Sequence, residues 1–263
     1  GDLMQAQGGS LVCHYRNMAF MGILAVVFNL RKILHNLQLC KKSIADFQPD
    51  ALILIDYPSF NLRIAKYVKE TLPIPVFYYI PPKLWAWKEY RIKQIKKYVD
   101  KVFCILPFEP DFYKKYHYPV EYVGNPCVDA ISNVPYQIPL ETFVKENRLD
   151  VKPIIALLAG SRKQEIKNCL PKMLQTAKHF PDFQFVVAGA PGINESFYRQ
   201  LLPDESFNIV FDKTYSLLQQ SSAAVVNSGT ATLETALLQV PQVVVYHVFG
   251  GALALLMKKL VLK

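Results

Sequence analysis

Residues 153–159 read Pro-Ile-Ile-Ala-Leu-Leu-Ala, without one polar side chain, and Gly160-Ser161-Arg162 follows directly. A run this short is a strand rather than a helix. A strand that is apolar on both faces needs cover on both faces. The unit recurs downstream: apolar runs at 183–188, 208–211, 223–226 and 242–246 alternate with helical stretches at 163–179, 195–202, 215–221 and 230–238. Buried strands alternating with helices specify a parallel sheet with helices on both sides.

The first half repeats the pattern with longer elements. The spacing predicts a long helix over 22–47, strands at 51–55, 76–80, 102–106 and 120–123, and helices at 62–71, 90–99 and 109–116. Residues 126–153 lack strand signals and carry Pro135 and Pro139, which places a linker there. The expected architecture is α/β: two Rossmann-like domains with mostly parallel sheets, 1–135 and 153–263, joined by 136–152 and facing a cleft. Ligands of such sheets sit beyond the carboxyl ends of the strands. The loops to read are therefore 56–61, 81–87, 124–126, 160–162, 189–192 and 227–230.

Composition narrows the function classes. About half of the 263 residues are apolar and 19% are charged, enough for two cores and too apolar for a disordered chain. Lys and Arg outnumber Asp and Glu by 30 to 21, a formal charge of +9. That favours an anionic partner: a nucleotide, a phosphorylated lipid, a membrane surface or a nucleic acid. Cys13, Cys40, Cys104, Cys127 and Cys169 are scattered, odd in number and free of Cys-x-x-Cys, against a disulfide framework or zinc site and in keeping with a reducing cytoplasm. The opening residues carry no signal-peptide pattern, and none is expected. The apolar run at 18–30 is interrupted by Asn29, followed by Arg31 and Lys32, and shorter than the roughly 20 residues of a membrane span.

Six short segments, in order, carry a family resemblance: Asp56-Tyr57-Pro58-Ser59-Phe60-Asn61, Trp85-Ala86-Trp87 followed by Arg91 and Lys93, Leu106-Pro107-Phe108-Glu109, Val123-Gly124-Asn125-Pro126, Ala159-Gly160-Ser161-Arg162, and Ser228-Gly229-Thr230-Ala231-Thr232-Leu233-Glu234. The chain resembles the lipid-A-disaccharide synthases, inverting glycosyltransferases of the GT-B double-Rossmann fold. It departs from them at Ser59, where a second acid is common, at Pro81 in place of Ser, and at Ala159 in place of Pro. The resemblance also implies a fragment without the family's N-terminal strand and Gly-Glu-x-Ser-Gly-Asp loop, and without its C-terminal Asn-Leu-x-x-Gly-Arg segment. Such a fragment is expected not to turn over alone.

The resemblance implies a reaction: 2,3-diacylglucosamine passes from its uridine diphosphate (UDP) donor to 2,3-diacylglucosamine 1-phosphate, with neither metal nor cofactor. Inversion needs a group to take the acceptor proton. Asp56, at a strand end, fits as base or acceptor binder, and equally as a cap of the following helix. Arg162 and the Gly160-Ser161 amides open a helix where a diphosphate could be compensated; alone, an exposed Arg is the commoner reading. Ser228, Gly229 and Thr230 form a second small-residue loop, open to phosphate or to simple capping. Glu234, four residues after Thr230 on one helix face, takes the ribose hydroxyls by the resemblance. Asn61, Trp85, Gly124 and Asn125 are expected at the substrate for the same reason.

Lys88, Arg91, Lys93, Lys96, Lys97 and Lys101 cluster near one helix whose stripe is Ile92, Ile95 and Val99. A solvated face is the plain reading. An anionic membrane, with Trp85 or Trp87 at the interface, is the sharper one. Residues 18–27 and 249–262 could add apolar contact or be core helices. Tyr90 and Tyr98 alone interleave the basic residues, thin support for nucleic acid, and none is expected. The implied location is the cytoplasmic face of a Gram-negative inner membrane, with a homodimer allowed. Two rivals stand beside this reading: a UDP-sugar 2-epimerase of the same fold, and a non-catalytic basic protein that binds membrane or nucleic acid.

Overall fold

The computed structural model describes residues 2–14, 29–134, 138–202 and 207–246, which fall into two units, Gly1–Asn125 and Pro126–Lys263. In the first unit, α1 (Asp2–Ala6) and α2 (Leu30–Phe47) precede β1 (Leu52–Ile55), α3 (Pro58–Thr71), β2 (Val76–Tyr79), α4 (Ile92–Tyr98), β3 (Lys101–Cys104), α5 (Glu109–Lys114) and β4 (Glu121–Tyr122). The strands run in the order β1-β2-β3-β4, all parallel, with Ile55 paired to Tyr79 at the carboxyl end. Phe60, Ile64 and Val68 recur every four residues on α3 and are buried, the stripe an amphipathic helix lays on a sheet. Ile92, Ile95 and Val99 are buried in the same core, as their spacing predicts.

The second unit contains α6 (Pro126–Ser132), α7 (Leu140–Glu146), β5 (Ile154–Leu158), α8 (Lys163–Gln175), β6 (Gln184–Gly189), α9 (Glu195–Arg199), β7 (Asn208–Phe211), α10 (Thr214–Gln219), β8 (Ser221–Asn227), α11 (Thr230–Leu237) and β9 (Gln242–Val245). Its parallel sheet has the order β7-β6-β5-β8-β9. Every residue of β5 is buried. Ile154, Ala156 and Leu158 pack into one core layer, and Ile155 and Leu157 into the opposite one. That two-residue alternation explains why the run has no polar position. From β5 the chain builds outward through β6 and β7, then returns to β8 on the other side. The β5/β8 junction is thus the topological switch point.

The α/β class and the two parallel sheets agree with expectation. The linker does not. Residues 136–152 include α7, whose Phe143 and Val144 are buried in the second unit's core, so the division falls at Asn125/Pro126. Two adjacent apolar residues flanked by polar ones look like loop in sequence; their burial needs the sheet to be present. The expected helix over 22–47 is described from Leu30, and its 22–28 part lies outside the described residues, as do 18–27 and 249–262. The helix predicted over 163–179 ends at Gln175 and continues as a 3-10 turn, Thr176–His179. Pro171 lies inside that helix and removes one of its amide donors. Among the described residues no helix is long and apolar enough to cross a membrane.

Candidate functional site

Two of the predicted loops adjoin at the switch point of the second unit. Gly160, after β5, has φ +121, and a Cβ built there would lie 3.0 Å from Asn227 Nδ2 at the end of β8. Asn227 Oδ1 accepts from Cys169 Sγ at 3.4 Å, tying the β8 end to α8. Residues 160–162 and 227–230 therefore form one patch, with Ser161, Arg162, Ser228, Gly229 and Thr230 all exposed.

Arg162 is the N-cap of α8, without a side-chain cap bond. Its Nη1 donates to Glu165 Oε1 at 2.6 Å, and Ser161 N–H donates to Glu165 Oε2 at 3.1 Å. The sequence reading missed Glu165. Its signal is an acid in the first turn of a helix, reaching back to a free amide. Ser228 and Thr230 do not cap α11: Gly229 is the N-cap and no side chain bonds there. Thr232 Oγ1 instead donates to Gly229 O at 2.7 Å. Glu234 Oε1 accepts from Tyr215 Oη at 2.9 Å, a second residue the sequence reading missed. The Tyr215 phenol is pushed up to about 12 by burial, then by its bond to Glu234 and by the charges of Glu234 and Cys127.

In the first unit Asp56 follows β1 and is exposed. Asp56 and Tyr57 both occupy the left-handed region, φ 46 and 47. Two bonds hold that strained turn: Asn61 Nδ2 donates to Asp56 O at 2.6 Å, and Tyr78 Oη donates to the same carbonyl at 2.8 Å. Asn61 Nδ2 also reaches Ile55 O at 3.0 Å. Asn61 is thus a support of the loop. The capping alternative for Asp56 has no bond behind it, because Tyr57 is the N-cap of α3 and makes no side-chain cap bond. Arg91 Nη2 donates to Ser59 Oγ at 2.8 Å. The Tyr78 phenol is raised by burial and by the Asp56 carboxylate, while Arg91 and the Asn61 bond oppose them. Asp56 and Arg91 therefore act on the same phenol.

Trp85 is 40% exposed and lies edge-on to Phe108, centroids 5.1 Å apart. Its Nε1 donates to Glu109 Oε1 at 3.4 Å. Glu109 is buried and also accepts from the Ile105 and Leu106 amides at 3.1 and 2.9 Å. Gly124 adopts φ +87, a turn that favours glycine, and Asn125 beside it is buried. Among the described residues no group of three or more His, Cys, Asp or Glu side chains converges on a metal site.

Comparison with known proteins joins these loops to a family. A lipid-A-disaccharide synthase of Myxococcus xanthus is 38% identical over 257 residues, covering 94% of this chain and 66% of that protein. One of Coxiella burnetii (strain RSA 331 / Henzerling II) is 39% identical over 253 residues with the same coverage. The chain thus spans just under two thirds of the length of these relatives. Among solved structures, the S. aureus MnaA-UDP co-structure superposes with a TM-score of 0.58 at 13% identity, covering 81% of this chain and 61% of that one. The UDP-GlcNAc 2-epimerase of Neisseria meningitidis bound to UDP-GlcNAc gives 0.55 at 17%, covering 90% and 69%. At these identities the superpositions bear on the fold alone. The sequence model of lipid-A-disaccharide synthetase matches residues 1–263, the whole length, and the chain belongs to that family.

Proposed function

We propose that the protein transfers 2,3-diacylglucosamine from its UDP donor to 2,3-diacylglucosamine 1-phosphate, giving a β-1,6-linked disaccharide 1-phosphate and UDP. The observation that carries this is the junction of Gly160–Arg162 with Asn227–Thr230 at the switch point of a family member's parallel sheet. The second unit takes the donor: Gly160, Ser161, Arg162, Ser228, Gly229 and Thr230 meet the diphosphate, and Glu234 the ribose. The first unit takes the acceptor, with Asp56 as base or hydroxyl binder and with Trp85, Gly124 and Asn125 at the sugar. In the reaction the acceptor 6-oxygen bonds to the anomeric carbon of the donor. The bond from that carbon to the diphosphate oxygen breaks, the hydroxyl proton passes to the base, and UDP leaves with the electron pair. Arg162 compensates the charge growing on the leaving diphosphate.

The acyl chains of both substrates call for a lipid interface. The first unit offers one in Trp85, Trp87 and the lysines around α4, on the cytoplasmic face of a bacterial inner membrane. Incubating the intact protein with both lipid substrates tests the whole reading. Disaccharide and UDP should form in equal amounts. Interconversion of a soluble UDP-sugar without disaccharide would replace this reading with an epimerase.

A further inference from the structure

Among the described residues Arg91 forms no ion pair, whereas two lysines near it do. Lys69 pairs with Asp100 at 2.7 Å and Lys101 with Glu121 at 2.5 Å. Lys96 donates to Tyr116 O at 2.9 Å, and Lys88 lies over the Trp87 ring. Arg91 instead meets the neutral hydroxyl of Ser59, 32 positions earlier in the chain. A guanidinium has five donors, so one bond to a hydroxyl leaves most of its fork unused. Asp56, three residues before Ser59, is exposed, and among the described residues its carboxylate forms no ion pair. Both charges act on the Tyr78 phenol with opposite sign, yet they do not pair with each other.

We propose that Arg91, with the Ser59 hydroxyl, binds the phosphate of the sugar-phosphate acceptor and so selects the phosphorylated sugar over the free one. A bare anion would meet Asp56 as well and be repelled. A ligand with a hydroxyl for Asp56 and a phosphomonoester for Arg91 satisfies both charges, and the planar fork suits two phosphate oxygens at once. This deepens the acceptor-side reading above and rests on it.

The test compares wild type, Arg91→Ala and Arg91→Lys in the intact protein, using two acceptors, the sugar 1-phosphate and its dephosphorylated counterpart. Arg91→Ala should raise KM for the phosphorylated acceptor about tenfold or more. KM for the dephosphorylated acceptor and for the donor should stay unchanged, and Lys should restore part of the preference. Equal losses with both acceptors would make Arg91 a support of the loop and overturn the proposal. A second arm does not depend on turnover: tryptophan fluorescence is titrated with glucosamine 1-phosphate, glucosamine and inorganic phosphate. Wild type should bind the sugar phosphate most tightly, and Arg91→Ala should lose that preference. A preference retained by the variant, or inorganic phosphate binding as well as the sugar phosphate, would also overturn it. Absence of disaccharide with a normal titration would instead count against the proposed reaction.

Discussion

Arg162 and Glu165 are joined across the first turn of α8, with the guanidinium 2.6 Å from one carboxylate oxygen while the other accepts from the Ser161 amide at 3.1 Å. The carboxylate thus bonds the same groups that the proposed function gives to the donor diphosphate. The exposed pair adds little to stability, so its weight falls on placing the guanidinium. Arg162→Ala should therefore leave the circular dichroism spectrum and melting temperature near wild type. It should lower kcat by roughly 100- to 1,000-fold, the usual loss for one group that stabilises transition-state charge. Near-normal steady-state kinetics would remove Arg162 from the chemistry.

Gly160 makes a sharper demand on the same loop. Its φ of +121 is unfavourable for any other residue, and an added Cβ would lie 2.7 Å from both Cβ and Oε2 of Glu165. Gly160→Ala should push Glu165 out of place and weaken binding of UDP by the intact protein, with a lower melting temperature. Calorimetry showing unchanged UDP affinity would mean that the loop tolerates the side chain and does not form the diphosphate site.

The parts of this protein that were legible in its sequence are those fixed by local pattern. An uninterrupted apolar run such as 154–158 can only be a strand covered twice, and the Gly-Ser-Arg after it falls at a strand's carboxyl end by necessity. Residues whose role depends on a distant partner were not legible. Tyr215 and Glu234 are 19 positions apart, Arg91 and Ser59 are 32 apart, and no periodicity links either pair. Glu109 opens the helix expected over 109–116, but its burial and its bond to Trp85 follow from the fold. The misplaced linker has the same cause: Phe143 and Val144 are core residues once the second sheet exists to receive them.

The absence of a capping bond at Asp56 separates its two readings experimentally. A capping Asp contributes about 1 kcal/mol, whereas an exposed side chain outside such contacts changes stability by less than about 0.5 kcal/mol. Asp56→Asn should therefore unfold at the wild-type denaturant midpoint while losing most of its activity. A clear drop in midpoint with activity retained would make Asp56 a structural residue.

The aromatic and basic surface of the first unit should bind anionic vesicles in a salt-dependent way. Trp87 is 54% exposed, with Lys88 Nζ 4.2 Å from its ring centroid. Charge attraction at such a surface fades as the screening length shortens to about 10 Å at 0.1 M salt. Cosedimentation should fall between low and high salt, and Trp87→Ala should reduce what remains. Binding that is absent at low salt, or indifferent to salt, would remove this surface from membrane contact.

Tyr215 sets the last expectation, because its bond to Glu234 joins a titration to a proposed ribose contact. Burial first, then the bond and the Glu234 charge, raise the phenol from 10.0 to about 12. The folded state thus keeps the proton where the unfolded chain has lost it. The stabilisation from this group is complete below pH 10.0, the unfolded value, and is lost as pH rises through about 12. Urea unfolding at pH 9 and pH 11.5 should show wild type losing more stability between the two than Tyr215→Phe. At neutral pH the variant leaves Glu234 without the bond that orients it. UDP affinity should then fall about two- to tenfold, the scale of one net hydrogen bond. The preference for UDP over its 2′-deoxy analogue should shrink with it. Matching pH slopes for the two proteins would refute the titration, and an undiminished preference for the ribose hydroxyl would take Glu234 out of the donor site.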